Sequence, residues 1–241
     1  MSKVLLLEYF SSRLYELFKD KPSASLLAEG FLMLHALAKD FFQAGFEIIA
    51  PVDKQLYNRK SLLTPVNSIE EALRLTDHCE YFYVIAPCHR YKLVRLVSTL
   101  SGLGLRSLNS SLKAIELTCD KYLTYLKLRQ AGLRTPYTVK VSSHENLNYV
   151  KELARRELSY PIVIKPICGD GCLGLSIAYN DEQLEGAFRK AQLHDEYVLL
   201  QEYVNGKHIS ASLFAKDKTA TILSVNQQFV SLKPFHENSK Y

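Results

Sequence analysis

The chain has 241 residues, of which 47% are hydrophobic and 23% charged, and its formal net charge is +5. That length fits one large domain or two small ones with a substantial core. Lysines and arginines form no long block, and no apolar run has the length of a membrane span, so nucleic-acid and membrane partners are not predicted. The apolar run after Met1 is too short for a signal peptide, which predicts a cytoplasmic protein.

The cysteines lack the spacing of a disulfide framework. Their odd number suits reduced thiols. The five positions are Cys79, Cys88, Cys119, Cys168 and Cys172. The pairs His78-Cys79 and Cys88-His89 flank a predicted strand, which would separate them by roughly 25–30 Å at ~3.3 Å per residue. They cannot share one ion at that distance, so we predict no zinc site.

The first hundred residues alternate between apolar strand patterns and helical periodicity. The predicted elements are a strand at Val4–Leu7, a helix at Ser25–Ala44, a strand at Phe46–Pro51, a helix at Ser68–Thr76, a strand at Tyr81–Ala86, a helix at Tyr91–Leu103 and a strand at Arg106–Leu108. This order predicts a parallel sheet between two helical layers. The polar segment Glu8–Ser12 follows the first strand, at the sheet edge where ligands gather in such folds.

A long helix is predicted next, over Leu112–Ala131, with N-capping residues at Asn109–Ser111 and Gly132 at its end. Lys121 lies within it and, by pattern alone, could be a solvated helix residue. A strand at Pro136–Val141 and a helix at Glu145–Leu158, opened by Ser143, complete this part of the chain.

Lys165 follows four apolar strand formers, Pro161–Ile164, and precedes the glycine-rich segment Gly169–Gly174. A lysine there sits at a strand end or points into a cleft. Three glycines in six residues let backbone N–H groups approach an anion, although a plain hairpin fits the same pattern. No Gly-Lys-Ser/Thr follows, and the residues after Gly174 predict a strand, which excludes a P-loop and a dinucleotide fingerprint.

The last part of the chain predicts a helix, a buried strand and an antiparallel hairpin. The helix covers about Asp181–Gln192, the strand is Tyr197–Leu200, and the hairpin pairs Lys207–Phe214 with Thr221–Val225 through a turn at Asp217-Lys218. Alternating polar and apolar residues after Gly206 predict a half-exposed strand.

Taken together, the strand ending in Lys165-Pro166, the glycine-rich flap, the short strand, the helix and the strand ending in Gln-Glu-Tyr-Val-Asn-Gly resemble the ATP-grasp superfamily. The resemblance implies an α/β fold: a parallel three-layer, Rossmann-like pre-ATP-grasp domain at 1–108, then an α+β ATP-grasp domain at 109–241. Its first subdomain, with the flap, would cover 109–200, and a second would begin at 201. The domain is expected to be truncated at its C-terminus.

The resemblance also implies roles for individual residues. Lys121 and Lys165 would contact nucleotide phosphates, and Gln201–Val204 would seat the adenine. The flap residues expected to close over the phosphates are Gly169, Asp170, Gly171, Cys172 and Gly174, and the adenine residues are Gln201, Glu202, Tyr203 and Val204. His208 stands where many members carry a ribose-binding acid; an exposed strand histidine fits the pattern nearly as well.

Short motifs resemble the carboxylate–amine ligase branch that contains tyramine–glutamate ligase. They include the Glu-Tyr-x-Ser opening, the helix residues Leu26, Glu29, Gly30, Phe31 and Met33, the segment Val84–Pro87, and Asn226-Gln227-Gln228. Glu29, Asn226 and Gln228 are the substrate-binding candidates, with an ordinary helix start and an ordinary strand end as the alternatives. Cys88 replaces the acid that this branch often carries, which leaves the substrate chemistry open.

The resemblance implies an ATP-dependent ligase that joins a small-molecule carboxylate and an amine through an acylphosphate, for instance glutamate and tyramine. ATP and Mg²⁺ are the expected cofactors. No metal ligand is predicted within the chain, because Glu237-Asn238 lacks the spacing and the strand, and the ligands are expected beyond Tyr241. No catalytic residue is identified. A homodimer is compatible with this prediction.

Two alternatives to a ligase can be compared with the sequence. A nucleotide-binding module without turnover, regulatory or degenerate, would suit a chain that lacks the metal strand. A nicotinamide-binding enzyme would need Gly-x-Gly-x-x-Gly after Val4–Leu7, where the sequence has Glu-Tyr-Phe-Ser-Ser.

Overall fold

A computed structural model describes residues 3–57, 61–217 and 219–229. Its contacts form two compact units, one ending at Asp120 and the other beginning at Lys121. The boundary expected at residue 108 from the family resemblance stays a prediction.

In its described residues, the first unit contains six short strands and four α-helices. The strands are β1 (Lys3–Glu8), β2 (Glu47–Ile49), β3 (Pro51–Asp53), β4 (Thr64–Val66), β5 (Tyr81–Ile85) and β6 (Arg106–Ser107), and the helices are α1 (Ala24–Gln43), α2 (Ile69–Arg74), α3 (Lys92–Gly102) and α4 (Leu112–Cys119). Four strands form a sheet in the order β2-β1-β5-β6, in which every pairing is parallel. The predicted parallel sheet is confirmed.

Strand β1 is the centre of this unit because it is buried on both faces. Val4 and Leu6 pack with Leu34 and Ala38 of α1, whereas Leu5 and Leu7 pack in the other cluster, with α3 residues such as Leu96, Val97 and Leu100. Successive side chains of a strand point to opposite faces, so a continuous apolar run is what a strand between two helical layers requires.

Several element boundaries in this unit differ from the predictions. Helix α1 is capped by Ser23, whose side chain accepts from the Leu26 N–H, rather than by Ser25. The single strand predicted at Phe46–Pro51 is two short strands, one pairing with β1 and the other with β4. The helix predicted from Tyr91 begins at Lys92, because Tyr91 has a left-handed backbone at φ 55°.

One cysteine pair also corrects the sequence interpretation. Cys88 and Cys119 form a disulfide with their Cα atoms 5.2 Å apart, although 31 residues separate them in the chain. Cys88 lies in the turn after β5 and Cys119 ends α4, and only the packing of the two elements brings them together. Cys79 and Cys172 remain free thiols.

The second unit is built on an antiparallel sheet. The elements are α5 (Lys121–Gln130), β7 (Thr138–Ser142), α6 (Leu147–Glu157), β8 (Ile162–Pro166), β9 (Ser176–Ala178), α7 (Asp181–Ala191), β10 (Tyr197–Glu202), β11 (Ile209–Lys216) and β12 (Thr219–Gln227). Four strands run in the order β7-β10-β8-β9, and α6 and α7 bury their apolar sides against one face of this sheet. The predicted α/β architecture is confirmed.

The helix predicted over Leu112–Ala131 is two helices. Asp120 interrupts it with an extended backbone, at φ −95° and ψ 110°, and α5 begins at Lys121. Helical periodicity continues across the break, so the sequence carries no mark of it. Helix α6 is likewise capped by Asn146 rather than opened by Ser143.

The hairpin of β11 and β12 pairs in antiparallel register from Ile209 opposite Gln227 to Lys216 opposite Thr219. The strand after Gly206 is predicted to be half-exposed. Every residue of β12 and all of β11 except Ser210 is exposed instead, including Phe214 and Leu223. Of the predicted turn, Asp217 has a left-handed backbone and Lys218 lies outside the described residues. Glu237-Asn238 lies outside them as well.

Among the helices that the structure describes, none has both the length and the apolarity needed to cross a membrane.

Candidate functional site

Lys165 is delivered to the site by the alternation of β8. Ile162 and Ile164 are fully buried against α6 and α7, so Lys165 points from the other face of the sheet. On β10, Leu199 lies opposite Lys165 in the register, and Gln201 follows on the same face. The Lys165 Nζ donates to the Gln201 Oε1 at 2.8 Å.

A relay of side chains orients the Gln201 amide. Its Nε2 donates to the Thr138 Oγ1 at 2.7 Å, and the Thr138 hydroxyl donates to the Pro136 carbonyl at 3.0 Å. Thr138 is buried and sits opposite Gln201 in the pairing of β7 with β10. The relay therefore turns the amide oxygen toward Lys165. Thr138 was missed by sequence reasoning, since only the strand register reveals it.

Lys121 lies at the first position of α5, immediately after the break at Asp120. Its backbone N–H donates to the Ile167 carbonyl at 3.1 Å. Its Nζ donates to the Gly169 carbonyl at 2.9 Å and approaches the Ile167 carbonyl at 3.4 Å. Lys121, the predicted phosphate lysine, thus contacts the start of the glycine-rich loop. A solvated helix residue, which was the alternative interpretation, would not make this contact.

The two lysines influence each other electrostatically. Burial, together with the nearby positive charge of Lys121, lowers the pKa of Lys165 to about 8. Both causes disfavour the charged form of the lysine. A polyphosphate bound here would counter the repulsion between the two cations, so the site suits an anion.

The glycine-rich loop between β8 and β9 turns through left-handed backbone positions. Gly169, Gly171 and Gly174 have φ values of 128°, 62° and 74°, and Cys172 adopts φ 58° despite its side chain. Glycine reaches such angles without steric cost. Asp170 lies with Gly171, Cys172 and Leu173 on the exposed side of the loop.

The residues predicted to seat adenine lie at the end of β10. Glu202 donates its N–H to the Tyr137 carbonyl at 2.8 Å, and its Oε2 accepts from the Tyr137 N–H at 3.1 Å. Tyr203 is partly buried, and Val204 is exposed. The first of these residues, Gln201, is also the one whose side chain accepts from the Lys165 Nζ.

The other predicted binding residues are more scattered. His208 is exposed, and its carbonyl accepts from the Gln228 N–H at 2.8 Å across the hairpin. The Asn226 amide approaches the Ser212 hydroxyl at 3.4 Å on the same hairpin. The hairpin thus brings His208, Asn226 and Gln228 to one end, whereas Glu29 is an exposed residue of α1 in the first unit.

The polar segment after β1 has a buried carboxylate at its centre. The Glu8 Oε2 accepts from the Ser11 N–H at 2.7 Å, the Ser11 hydroxyl at 2.8 Å and the Phe10 N–H at 3.0 Å. Burial raises the pKa of Glu8, and these hydrogen bonds oppose the rise. Sequence reasoning placed ligands at this edge; the structure uses the Glu8 carboxylate to hold its own loop.

A divalent cation would need several His, Cys, Asp or Glu side chains that converge on one point. Within residues 3–57, 61–217 and 219–229, no three His, Cys, Asp or Glu side chains converge as metal ligands would. The described residues therefore do not provide a Mg²⁺ site on their own.

The chain was also compared with families of known proteins and with solved structures. A family model described as an ATP-grasp domain matches residues 118–238. A D-alanine–D-alanine ligase from Bacillus anthracis is 28% identical over 200 residues, which is 82% of this chain and 62% of that protein. A tyramine–L-glutamate ligase from Methanocaldococcus jannaschii is 26% identical over 243 residues, covering 96% of this chain and 66% of its own length.

Solved structures agree on the fold. An ATP-grasp superfamily protein from Archaeoglobus fulgidus superposes with a TM-score of 0.66 at 24% identity, over 96% of this chain and 62% of its own. The VanG D-Ala:D-Ser ligase from Enterococcus faecalis reaches 0.67 at 14% identity, over 94% and 70%. This chain therefore spans about two thirds of the length of these proteins. Because the family model covers half of its residues, the chain belongs to the ATP-grasp family.

Proposed function

We propose that this chain binds ATP and is the nucleotide-binding part of a carboxylate–amine ligase. The observation that carries the proposal is the pair Lys121 and Lys165, two cations beside a glycine-rich loop, one of them with a pKa lowered to about 8. Relatives that are named D-alanine–D-alanine ligase and tyramine–L-glutamate ligase support the choice of reaction.

The proposed reaction has two steps. A carboxylate oxygen of one substrate attacks the γ-phosphorus of ATP, so ADP leaves and an acylphosphate forms. The nitrogen of the amine then attacks the acyl carbon, phosphate leaves, and loss of a proton from nitrogen gives the amide. The protein would contribute by positioning the substrates and stabilising charge rather than by a covalent intermediate of its own.

The proposal assigns roles to the chain's own residues. Lys165, aimed by Gln201, and Lys121 would hold the phosphates through charge-assisted hydrogen bonds. The loop Gly169–Gly174 would cover them and exclude water. The backbone of Gln201–Val204 would seat the adenine, and His208 would contact the ribose.

For the substrates we propose an amino-acid carboxylate and an amine, with glutamate and tyramine as the first pair to test. The relative with that activity in its name aligns along 96% of this chain. Glu29, Asn226 and Gln228 are the candidate contacts. Mg²⁺ dependence, a homodimer and a cytoplasmic location stay predictions.

The test is the melting temperature of the chain with and without excess Mg·ADP, for the parent, Lys165→Ala and Lys127→Ala. A ligand at ~100 times its dissociation constant should stabilise the folded state by about 2.7 kcal/mol. Lys127 is exposed in α5, where its Nζ donates to the Gln130 Oε1 at 3.3 Å, so it is a matched control. We expect stabilisation in the parent and the control, and little in Lys165→Ala.

Equal stabilisation of Lys165→Ala and the parent would refute the role of this lysine. The reaction itself is tested by ADP release when the parent is given ATP, glutamate and tyramine. ADP binding without any release across a panel of carboxylates and amines would favour a nucleotide-binding module over a ligase.

A further inference from the structure

Both ends of the glycine-rich loop contact one short segment that no motif marked. This bracing segment, Lys190–Asp195, contains the last two residues of α7 and the start of its connection to β10. The loop is more than fifteen residues earlier in the chain. A connection between a helix and a strand does not generally contact such a loop, so these contacts are specific to this chain.

The first end of the loop is held by Asp195. Its Oδ2 accepts from the Cys168 N–H at 3.1 Å, one residue before Gly169. Cys168 is buried, and its side chain packs with Ile167 and Leu199. A hydrogen bond to a charged acceptor is stronger than a neutral one, so it defines the point where the strand ends and the loop begins.

The second end is held by His194 and Lys190. A Cβ atom at Gly174 would lie 2.7 Å from the His194 Cδ2 and 3.1 Å from the Pro166 Cδ, so the imidazole occupies the space that a side chain would need. The Lys190 Nζ reaches the Leu175 carbonyl at 3.4 Å. Gly174 itself is buried.

Between these two ends the loop depends on its own backbone. The Leu173 N–H donates to the Asp170 carbonyl at 3.2 Å, and the Leu175 N–H donates to the Cys172 carbonyl at 3.0 Å. The residues at the tip are exposed. The loop thus combines a fixed base with an open tip.

We propose that Asp195 and His194 are positioning residues, which hold the two ends of the glycine-rich loop so that its tip can close over a phosphate chain while its base stays in place. The structural part of this proposal stands on the contacts alone. Its consequence for ligand affinity rests on the proposed function.

The first experiment measures backbone hydrogen exchange of the loop in the full chain without nucleotide. Asp195→Ala is compared with Asp195→Asn, which keeps an oxygen acceptor, and with Glu196→Ala, which changes an exposed neighbouring acid. We expect Asp195→Ala to accelerate exchange at Cys168 and Gly169 by about tenfold, the size of a lost hydrogen bond to a charged acceptor. Asp195→Asn should recover most of the protection, and Glu196→Ala should resemble the parent.

Equal exchange in Asp195→Ala and Glu196→Ala would overturn the proposal at this end of the loop. If Asp195 had only a general structural role, Asp195→Ala would lower the melting temperature without a selective change in the exchange rates of Cys168 and Gly169. That outcome would also count against the proposal. If Asp195→Ala does not fold, the comparison of Asp195→Asn with Glu196→Ala decides. Asp195→Asn should then accelerate exchange at Cys168 slightly and Glu196→Ala should not, and equal exchange in the two variants would overturn the proposal.

The other end is tested by a pair of substitutions at Gly174 and His194. Gly174→Ala should disturb the loop through its contact with the imidazole and through its φ of 74°. Adding His194→Ala removes the ring, so the double variant should recover part of the lost protection at Leu175. No recovery would show that the ring does not set this end of the loop.

The second experiment measures the dissociation constant of Mg·ADP for the same variants. We expect about tenfold weaker binding by Asp195→Ala and rescue by Asp195→Asn, in the same order as the exchange rates. If the parent does not bind nucleotide, the proposed function fails while the exchange data still judge the positioning. If exchange changes and affinity does not, the loop is braced for a purpose other than nucleotide binding, and the functional half of the proposal is wrong.

Discussion

The charged residues at the ends of β1 and β8 act in opposite ways. In the first unit, β1 ends in Glu8, and in the second, Lys165 lies one residue before the end of β8. In both strands the charged residue follows apolar residues that are at most 2% exposed. The exception is Val163, which is partly buried. From the sequence, both look equally suited to a binding site.

Their surroundings differ. Glu8 is 1% exposed, and its Oε2 accepts three hydrogen bonds from the two residues Phe10 and Ser11. Lys165 has a neutral amide partner and a second lysine close enough to lower its pKa. A buried charge that is satisfied by its own loop stabilises the fold, whereas a cation whose neighbours oppose its charge is prepared for an anion. The surroundings, and not the charge at the strand end, distinguish the two.

The strongest test of the structural role is Glu8→Ala. It would leave the Phe10 and Ser11 N–H groups without their acceptor and create a cavity, at a cost of about 3 kcal/mol in the free energy of unfolding. Denaturant unfolding measures it, and Glu29→Ala, an exposed acid of α1, is the control for which we expect no change. A loss below about 1 kcal/mol would mean that the loop does not depend on this carboxylate.

Gly30→Ala sharpens the same point from the opposing helix. A Cβ there would lie 2.7 Å from the Glu8 Cδ and closer still to its Oε2, which three hydrogen bonds hold in place. We expect a loss of about 1–3 kcal/mol in unfolding free energy. Gly102→Ala is the control, since nothing lies within 4 Å of its Cβ position, and alanine in that helix should stabilise by about 0.5–1 kcal/mol. Similar results for both would contradict the close packing of α1 on Glu8.

Thr138→Val tests how Lys165 is aimed. The substitution keeps the shape but removes the hydroxyl that accepts from the Gln201 Nε2, at a cost of about 1 kcal/mol. Because the amide would then be free to rotate, nucleotide affinity should fall severalfold. Thr118→Val, at an exposed position of α4, should leave the affinity unchanged. Calorimetric titration with Mg·ADP separates the variants, and equal affinities would show that the relay does not position Lys165.

A further effect is expected on the pH dependence of stability. The pKa of Lys165 is about 8 in the folded chain and 10.5 ordinarily, so between these values the unfolded state binds more protons. Stability should therefore rise with pH across that window in the parent relative to Lys165→Met. A parallel pH profile of the two proteins would contradict the lowered pKa. Binding of a polyphosphate should show the opposite trend, weakening as Lys165 loses its proton above pH 8.

Local pattern was enough to predict most of the elements. The apolar run Val4–Leu7 forms the predicted strand, which is covered on both faces, and Ser111, one of the predicted capping residues Asn109–Ser111, caps its helix. The succession of strand, Lys165, glycine-rich loop and strand was also readable, because each step depends on neighbouring residues. These features identified the ATP-grasp family before any contact was known.

What the sequence could not determine depends on contacts between distant residues. Three contacts join positions whose proximity is set by packing or strand register: the Cys88–Cys119 disulfide, the Thr138–Gln201 pair and the hydrogen bond between Asp195 and Cys168. The break at Asp120 is likewise not visible in the helical periodicity of the sequence. Hydrophobic periodicity reports which face of an element is buried, but not what lies opposite it. The sequence therefore determined the elements and the identity of the charged residues, and the tertiary structure decided which of those charges are satisfied and which are left to meet a ligand.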